Sequence, residues 1–165
     1  MDVVSLNLDS IRALVADVRD PEIPLLTIDD LGVLRDVQLE GDSVTVVITP
    51  TYSGCPAMDT ISADVKRVLQ DAGVEQVVVE MQLAPAWTTD WLSEAGRAKL
   101  LAEGIAPPVG KAGSKKALLG EMVTVACPRC GSTRTECISE FGSTACKALY
   151  RCSACLEPFD YFKCL

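Results

Sequence analysis

Cys127 Pro128 Arg129 Cys130 Gly131 and Cys152 Ser153 Ala154 Cys155, two CxxC pairs with 21 residues between them, decide how the second part of this chain folds. Two residues between cysteines let a tight turn aim both sulfurs at one point, and two such turns supply four thiolates for one tetrahedral ion. The insert between the pairs is long enough for two strands, so the pattern predicts a zinc ribbon. Residues 123–126, 133–139, 145–151 and 159–163 read as its short strands. Residues 122–165 are too few to close a self-sufficient core, which makes a bound metal the expected source of folding free energy. Four thiolates also suit a rubredoxin-like iron or an iron–sulfur cluster, and spacing does not separate these from zinc. Three cysteines stay outside the pattern, Cys137, Cys146 and Cys164. They are either inward-facing core thiols or part of a second, labile metal site.

The 165 residues around this pattern include 23 acids, 15 bases and no histidine, for a net charge of −8. Without histidine there is no Ser/His/Asp or Cys/His nucleophile pair, no zincin helix and no facial iron triad. Any metal is therefore held by thiolate or carboxylate. Net negative charge argues against nucleic acid as the main partner, because that affinity comes from Lys and Arg displacing counterions. No apolar run approaches the length of a bilayer span and the start lacks the pattern of a signal peptide, so the expected location is cytoplasmic, with no membrane partner. Charge divides unevenly: residues 1–110 carry eighteen acids and seven bases, whereas 111–165 carry five acids and eight bases. Seven of the eight cysteines also fall in the second part. The composition breaks near Pro107 Pro108 Val109 Gly110 and Lys115 Lys116, a stretch with linker chemistry. The expected domains are residues 1–106 and 122–165, joined by a linker over 107–121.

In the first part Asp9 or Ser10 can cap a helix whose buried face is Ile11, Leu14, Val15 and Val18. Asp20 Pro21 Glu22 Ile23 Pro24 cannot be helical and reads as an ordered loop with two carboxylates. Residues 33–39 and 44–49 flank Glu40 Gly41 Asp42 as a β-hairpin. Pro56 then opens a helix with Met58, Ile61, Val65, Val68 and Leu69 on one face, stopped at Gly73. Cys55 lies at that helix's N-terminus, where free amides and the helix dipole favour a thiolate. It is either a small buried hydrophobe or a reactive sulfur. A strand over 77–83 and a helix ending near Gly104 complete the order α-β-β-α-β-α. The fold class is α+β: a small mixed three-stranded sheet with packed helices, followed by an all-β ribbon. The loops at the strand ends carry Asp20, Glu22, Thr51 and Cys55, while Trp87 and Trp91 are packing residues or a stacking platform.

Asp20 Pro21 Glu22 Ile23 Pro24, Asp30 Leu31 Gly32, Thr51 with Cys55 Pro56, Pro85 Ala86 Trp87 and Gly104 Ile105 Ala106 Pro107 Pro108 resemble the iron–sulfur assembly domain of SufT-like proteins. The tail motifs Cys127 to Ser132, Phe141 Gly142 Ser143 Thr144 Ala145 Cys146 Lys147 and Glu157 to Cys164 are more specific. Together the two parts resemble the PaaD family of accessory proteins in the phenylacetyl-CoA epoxidase system of aerobic phenylacetate degradation. The resemblance implies a maturation factor for the system's iron centres, first among them the [2Fe–2S] cluster of the reductase, and not a catalyst. It implies partners among the reductase and oxygenase subunits and the iron–sulfur assembly machinery. Cys55 would then ligate iron or a cluster transiently, with Asp20 or Glu22 as oxygen ligands and Thr51 nearby, and the zinc ribbon would dock. One thiol cannot hold a cluster alone, so a second protomer, a small thiol or a client ligand is required, and a homodimer is one expected form. The alternative is an integral structural or electron-transfer subunit of the oxygenase.

Overall fold

The chain's structure, a computed structural model, describes residues 6–112, 114, 119 and 123–164. Its Cα atoms cluster into two compact units, Met1–Trp87 and Thr88–Leu165.

The first unit runs α1 (Leu8–Ala16), β1 (Leu34–Glu40), β2 (Ser43–Ile48), α2 (Ala57–Asp71) and β3 (Gln76–Met81). The cap of α1 is Asn7, whose Oδ1 accepts from the Ser10 N–H at 2.8 Å, so Asp9 and Ser10 sit inside the first turn instead of before it. β1 and β2 pair antiparallel, with Glu40 opposite Ser43 across Gly41 Asp42. Gly41 has φ +61°, the left-handed conformation that the first position of this two-residue turn demands. β2 and β3 are parallel, which a hairpin cannot achieve; the α2 crossover supplies the necessary length of chain. One face of the sheet carries Val37, Val44, Val46 and Ile48, all buried, as are Ile11 and Val15 of α1 and Ile61, Val65 and Leu69 of α2. The indole N–H of the buried Trp87 donates to the Leu31 carbonyl at 2.7 Å, so this tryptophan is a packing residue with its polar end satisfied.

In the second unit the helix expected to end near Gly104 forms and ends at Ala102. A one-turn 3-10 helix, Thr89–Trp91, precedes α3 (Glu94–Ala102), because Ser93 leaves the helical conformation to cap α3 and accepts from the Gly96 N–H at 2.9 Å. Three antiparallel strands follow in spatial order: β4 (Thr135–Ser139), β5 (Lys147–Cys152) and β6 (Pro158–Phe162). The strand expected over 123–126 does not form as a ladder. Val125 is tied instead through its carbonyl to the Thr135 hydroxyl at 2.6 Å.

The compact units part ahead of the expected linker, much of which lies outside the described residues. Ala106 explains the position. Its N–H donates to the Asp160 carbonyl at 2.8 Å and its carbonyl accepts from Phe162 at 2.9 Å, a parallel bridge that adds this residue to the ribbon sheet. Ala106 is buried with Val125, Ala148, Phe159 and Tyr161. The Pro107 Pro108 stretch continues this attachment, since the Pro108 carbonyl accepts from Arg97 at 3.0 Å and the Val109 N–H donates to the Tyr161 hydroxyl at 3.3 Å.

Candidate functional site

Cys127, Cys130, Cys152 and Cys155 bring their four sulfurs within 4.8 Å of one another, and among the described residues they are the only group of three or more potential metal ligands so gathered. Each knuckle closes by backbone hydrogen bonds, Gly131 to Cys127 at 2.9 Å and Leu156 to Cys152 at 2.9 Å. The residue after each second cysteine is left-handed, φ +74° at Gly131 and +67° at Leu156. Across the knuckles, Cys127 Sγ lies 3.8 Å from Cys155 Sγ and Cys130 Sγ lies 3.6 Å from Cys152 Sγ. A tetrahedral ion with metal–sulfur bonds of about 2.3 Å requires sulfur–sulfur edges of about 3.8 Å. The donor set and its spacing therefore fit a four-thiolate metal site.

Proton affinities divide across this group. Backbone N–H donation, from Cys155 first and also from Ala154, together with the Cys130 thiol, draws Cys152 down to about 6. Cys155 is pushed up to about 12: the Glu157 N–H lowers it, but burial and the sulfurs of Cys130, Cys152 and Cys127 outweigh that effect. One thiolate forms readily at Cys152 while Cys155 resists the next, which is the repulsion a divalent cation removes.

Cys137, Cys146 and Cys164 are not gathered into a comparable group. Each has a hydroxyl neighbour instead. Cys137 lies opposite Tyr150 in the β4–β5 ladder and hydrogen-bonds its phenol. Buried Cys146 is 3.0 Å from the Thr144 hydroxyl, and Cys164 accepts from the Thr89 hydroxyl at 3.5 Å.

The other candidate residues lie in the first unit, and two of them, Thr51 and Cys55, follow the carboxyl end of β2, where α/β sheets commonly bind ligands. β2 ends at Ile48 and α2 begins at Ala57, so the loop holding Thr51 and Cys55 is the entry to the crossover. Cys55 is half-buried, its N–H bonded to the Tyr52 carbonyl at 3.2 Å. Pro56, the N-cap of α2, has no side chain to satisfy the first amides, which leaves that end of the helix without a side-chain cap. Thr51 Oγ1 approaches Cys55 Sγ at 4.0 Å, so these two expected residues are brought together. Asp20 is buried and structurally engaged: its Oδ1 accepts from the N–H groups of Glu22 and Ile23, both at 2.8 Å. Burial raises its pKa above the ordinary 3.8, against the lowering by those two amides. Glu22 is half-buried on the same loop.

Sequence reading missed one group. Thr49, at the end of β2, is 1% exposed and its Oγ1 has no hydrogen-bond partner. An unpaired buried hydroxyl is uncommon and costs free energy. No local pattern marks it, because a threonine closing a valine-rich strand reads as an ordinary strand residue.

Comparison with known proteins covers both units. The family model described as "PaaD zinc beta ribbon domain" matches residues 111–163, and that described as "Iron-sulfur cluster assembly protein" matches 8–82. Over 155 residues the chain is 51% identical to an Escherichia coli (strain K12) protein named as a subunit of a "Putative 1,2-phenylacetyl-CoA epoxidase", covering 94% of this chain and 92% of that protein. It is 35% identical over 94 residues to the "Fe-S protein maturation auxiliary factor" of Porphyromonas gingivalis, covering 56% of this chain and 89% of that one. A solved domain of unknown function, DUF59, from Bacillus anthracis superposes with a TM-score of 0.52 at 28% identity over 56% of this chain and 90% of its own.

Proposed function

The chain belongs to the PaaD family, and from that premise we propose that it is a cytoplasmic accessory protein that matures an iron centre of a phenylacetyl-CoA epoxidase, with the reductase's [2Fe–2S] cluster as its cargo. The observation that carries this reading is coverage. A single relative named for the epoxidase spans both units, while the relative named for Fe–S maturation matches little more than half of the chain. The two names meet in a protein that handles iron for the epoxidase and does not itself epoxidise.

Cys55 is the transient ligand in this scheme. Its sulfur stands at the start of a crossover helix whose cap is a proline, with the Thr51 hydroxyl beside it. Asp20, whose Oδ1 holds the loop, and Glu22 on the same loop are the candidate oxygen ligands. Zinc held by Cys127, Cys130, Cys152 and Cys155 would act structurally, fixing the ribbon as a docking module for the reductase or for a component of the oxygenase.

The test is Cys55→Ala in cells that express the epoxidase. The variant should fold and keep its metal while epoxidase activity falls and the reductase is recovered without its cluster. A fully loaded reductase in that background overturns the proposal. The E. coli relative is named as part of the epoxidase, which favours a second reading, a stoichiometric structural or electron-transfer component. A colourless, zinc-only protein, together with purified epoxidase that turns over without it, excludes electron transfer.

A further inference from the structure

The two edges of the first sheet are built differently. β1 is a blunted edge: its register shifts between Leu34 and Asp36, it carries Arg35, Asp36 and Glu40, and Asp36 is 3.9 Å from Arg12. Bulges and charges of this kind prevent unwanted pairing. β3 is less protected: its one charge is Glu80. Its six residues, Gln Val Val Val Glu Met, keep unbroken register with β2 from Gln76 to Met81, without lysine, proline or bulge. Among the described residues no strand lies on its far side. Val78 is 46% exposed and Met81 49%, with exposed Leu83 just beyond.

We infer that the free edge of β3 pairs with β3 of a second copy of this chain, antiparallel about a two-fold axis, to make a continuous six-stranded sheet. Symmetry and the pleat restrict the register. Residues directly opposite in an antiparallel ladder share a face, and a two-fold axis makes the pairing reciprocal. Centring the axis on Val78 sets Val78 against Val78, Val77 against Val79, and Gln76 against Glu80. Every valine then meets a valine, and the strand's single charge faces a neutral amide that can donate to it. Centring on Glu80 would place like charges opposite, which is unfavourable. The pairing thus follows from the strand's own charge and apolar pattern, and its occupant is a second copy of the same strand.

The consequence for Cys55 rests on the function proposed above. Parallel β2 and β3 share their carboxyl ends, and Cys55 follows the end of β2. An antiparallel β3 pair points those ends in opposite directions and sets them about 20 Å apart, the length of a six-residue strand, with one Cys55 loop following each. The partner copy therefore cannot supply the second ligand to a cluster at Cys55. That ligand comes from the client or a small thiol.

Sedimentation equilibrium on the full-length, metal-loaded protein tests the pairing by mass alone, independently of any iron chemistry. The wild type is expected at twice the chain mass at tens of micromolar. Val78→Lys, which sets two ammonium groups against each other, should give the monomer with metal content and circular dichroism unchanged. Thr45→Lys, in the middle strand, should stay dimeric. Val78→Cys should cross-link to itself under oxidation, which the Cα separation of directly opposite residues allows. A monomeric wild type overturns the inference, as does a dimer that survives Val78→Lys or one lost equally in Thr45→Lys.

Discussion

The first sheet and the ribbon each have three strands, yet their interiors are filled by different means. Between α1, α2 and β1–β3 lie Ile11, Val15, Val44, Val46, Ile48, Ile61, Val65 and Leu69, aliphatic side chains from the helices and strands of the layer. The ribbon interior has Ala106, Val125, Ala148, Phe159 and Tyr161, and two of its other buried members, Cys127 and Cys152, are proposed metal ligands. A layer of helices on a sheet closes around apolar surface, whereas three short strands leave too little of it and need a bond network at one end. The same strand count should therefore carry opposite dependence on metal.

Stripping the metal is the largest perturbation that comparison allows. Structural zinc contributes about 10–16 kcal/mol to small domains, so β4–β6 should lose all protection from amide exchange under chelation, or in Cys152→Ser, while β1–β3 keep theirs. Ribbon amides that remain protected without metal would break the contrast. In the converse direction, Leu69→Ala empties part of the aliphatic layer at a cost of about 2–5 kcal/mol, read by urea unfolding of the first unit with metal stoichiometry unchanged.

Asp20 gives a smaller effect with a defined pH dependence. Asp20→Ala removes the acceptor for two amides at a cost of about 1–3 kcal/mol, whereas Asp20→Asn keeps that acceptor. A carboxyl whose folded pKa is raised stabilises the fold fully below its unfolded value and loses that contribution as pH rises through the folded value. Asp20→Asn should therefore gain relative to wild type as pH rises from about 3 to about 7, measured as thermal midpoints; a gain on acidification contradicts the burial assigned to this group. The smallest change concerns the knuckles. Leu156 is 64% exposed and left-handed where the first knuckle has Gly131, so Leu156→Gly should stabilise the ribbon by about 1 kcal/mol, seen as a higher melting midpoint.

Patterns that repeat within a few residues were readable in advance. The hairpin around Gly41, the α2 stripe from Met58 to Leu69 and the four-sulfur set all occur where their periodicity and spacing place them. Competition between neighbouring residues was less legible. Asn7 captured the cap from Asp9 and Ser10, because that decision depends on which of several adjacent side chains reaches a free amide first. Ala106 joined the ribbon sheet through a bond to Asp160, far along the chain, while its proline-rich neighbourhood carried local signals of a linker. The three extra cysteines carried no spacing that could choose between ligand and core thiol; in space each meets a hydroxyl, of Tyr150, Thr144 or Thr89.

By itself, the sequence determined that any metal here is held by sulfur or carboxylate, that four thiolates come as two turns, and that one cysteine opens a helix in an acidic domain. Residue type and local spacing suffice for these, since they depend on chemistry within one turn of chain. Only the tertiary structure decided that Cys127 faces Cys155 and Cys130 faces Cys152, that Thr49 buries an unpaired hydroxyl, and that β3 leaves a less protected edge. Those outcomes depend on which distant segments pack together, and no local pattern encodes that choice.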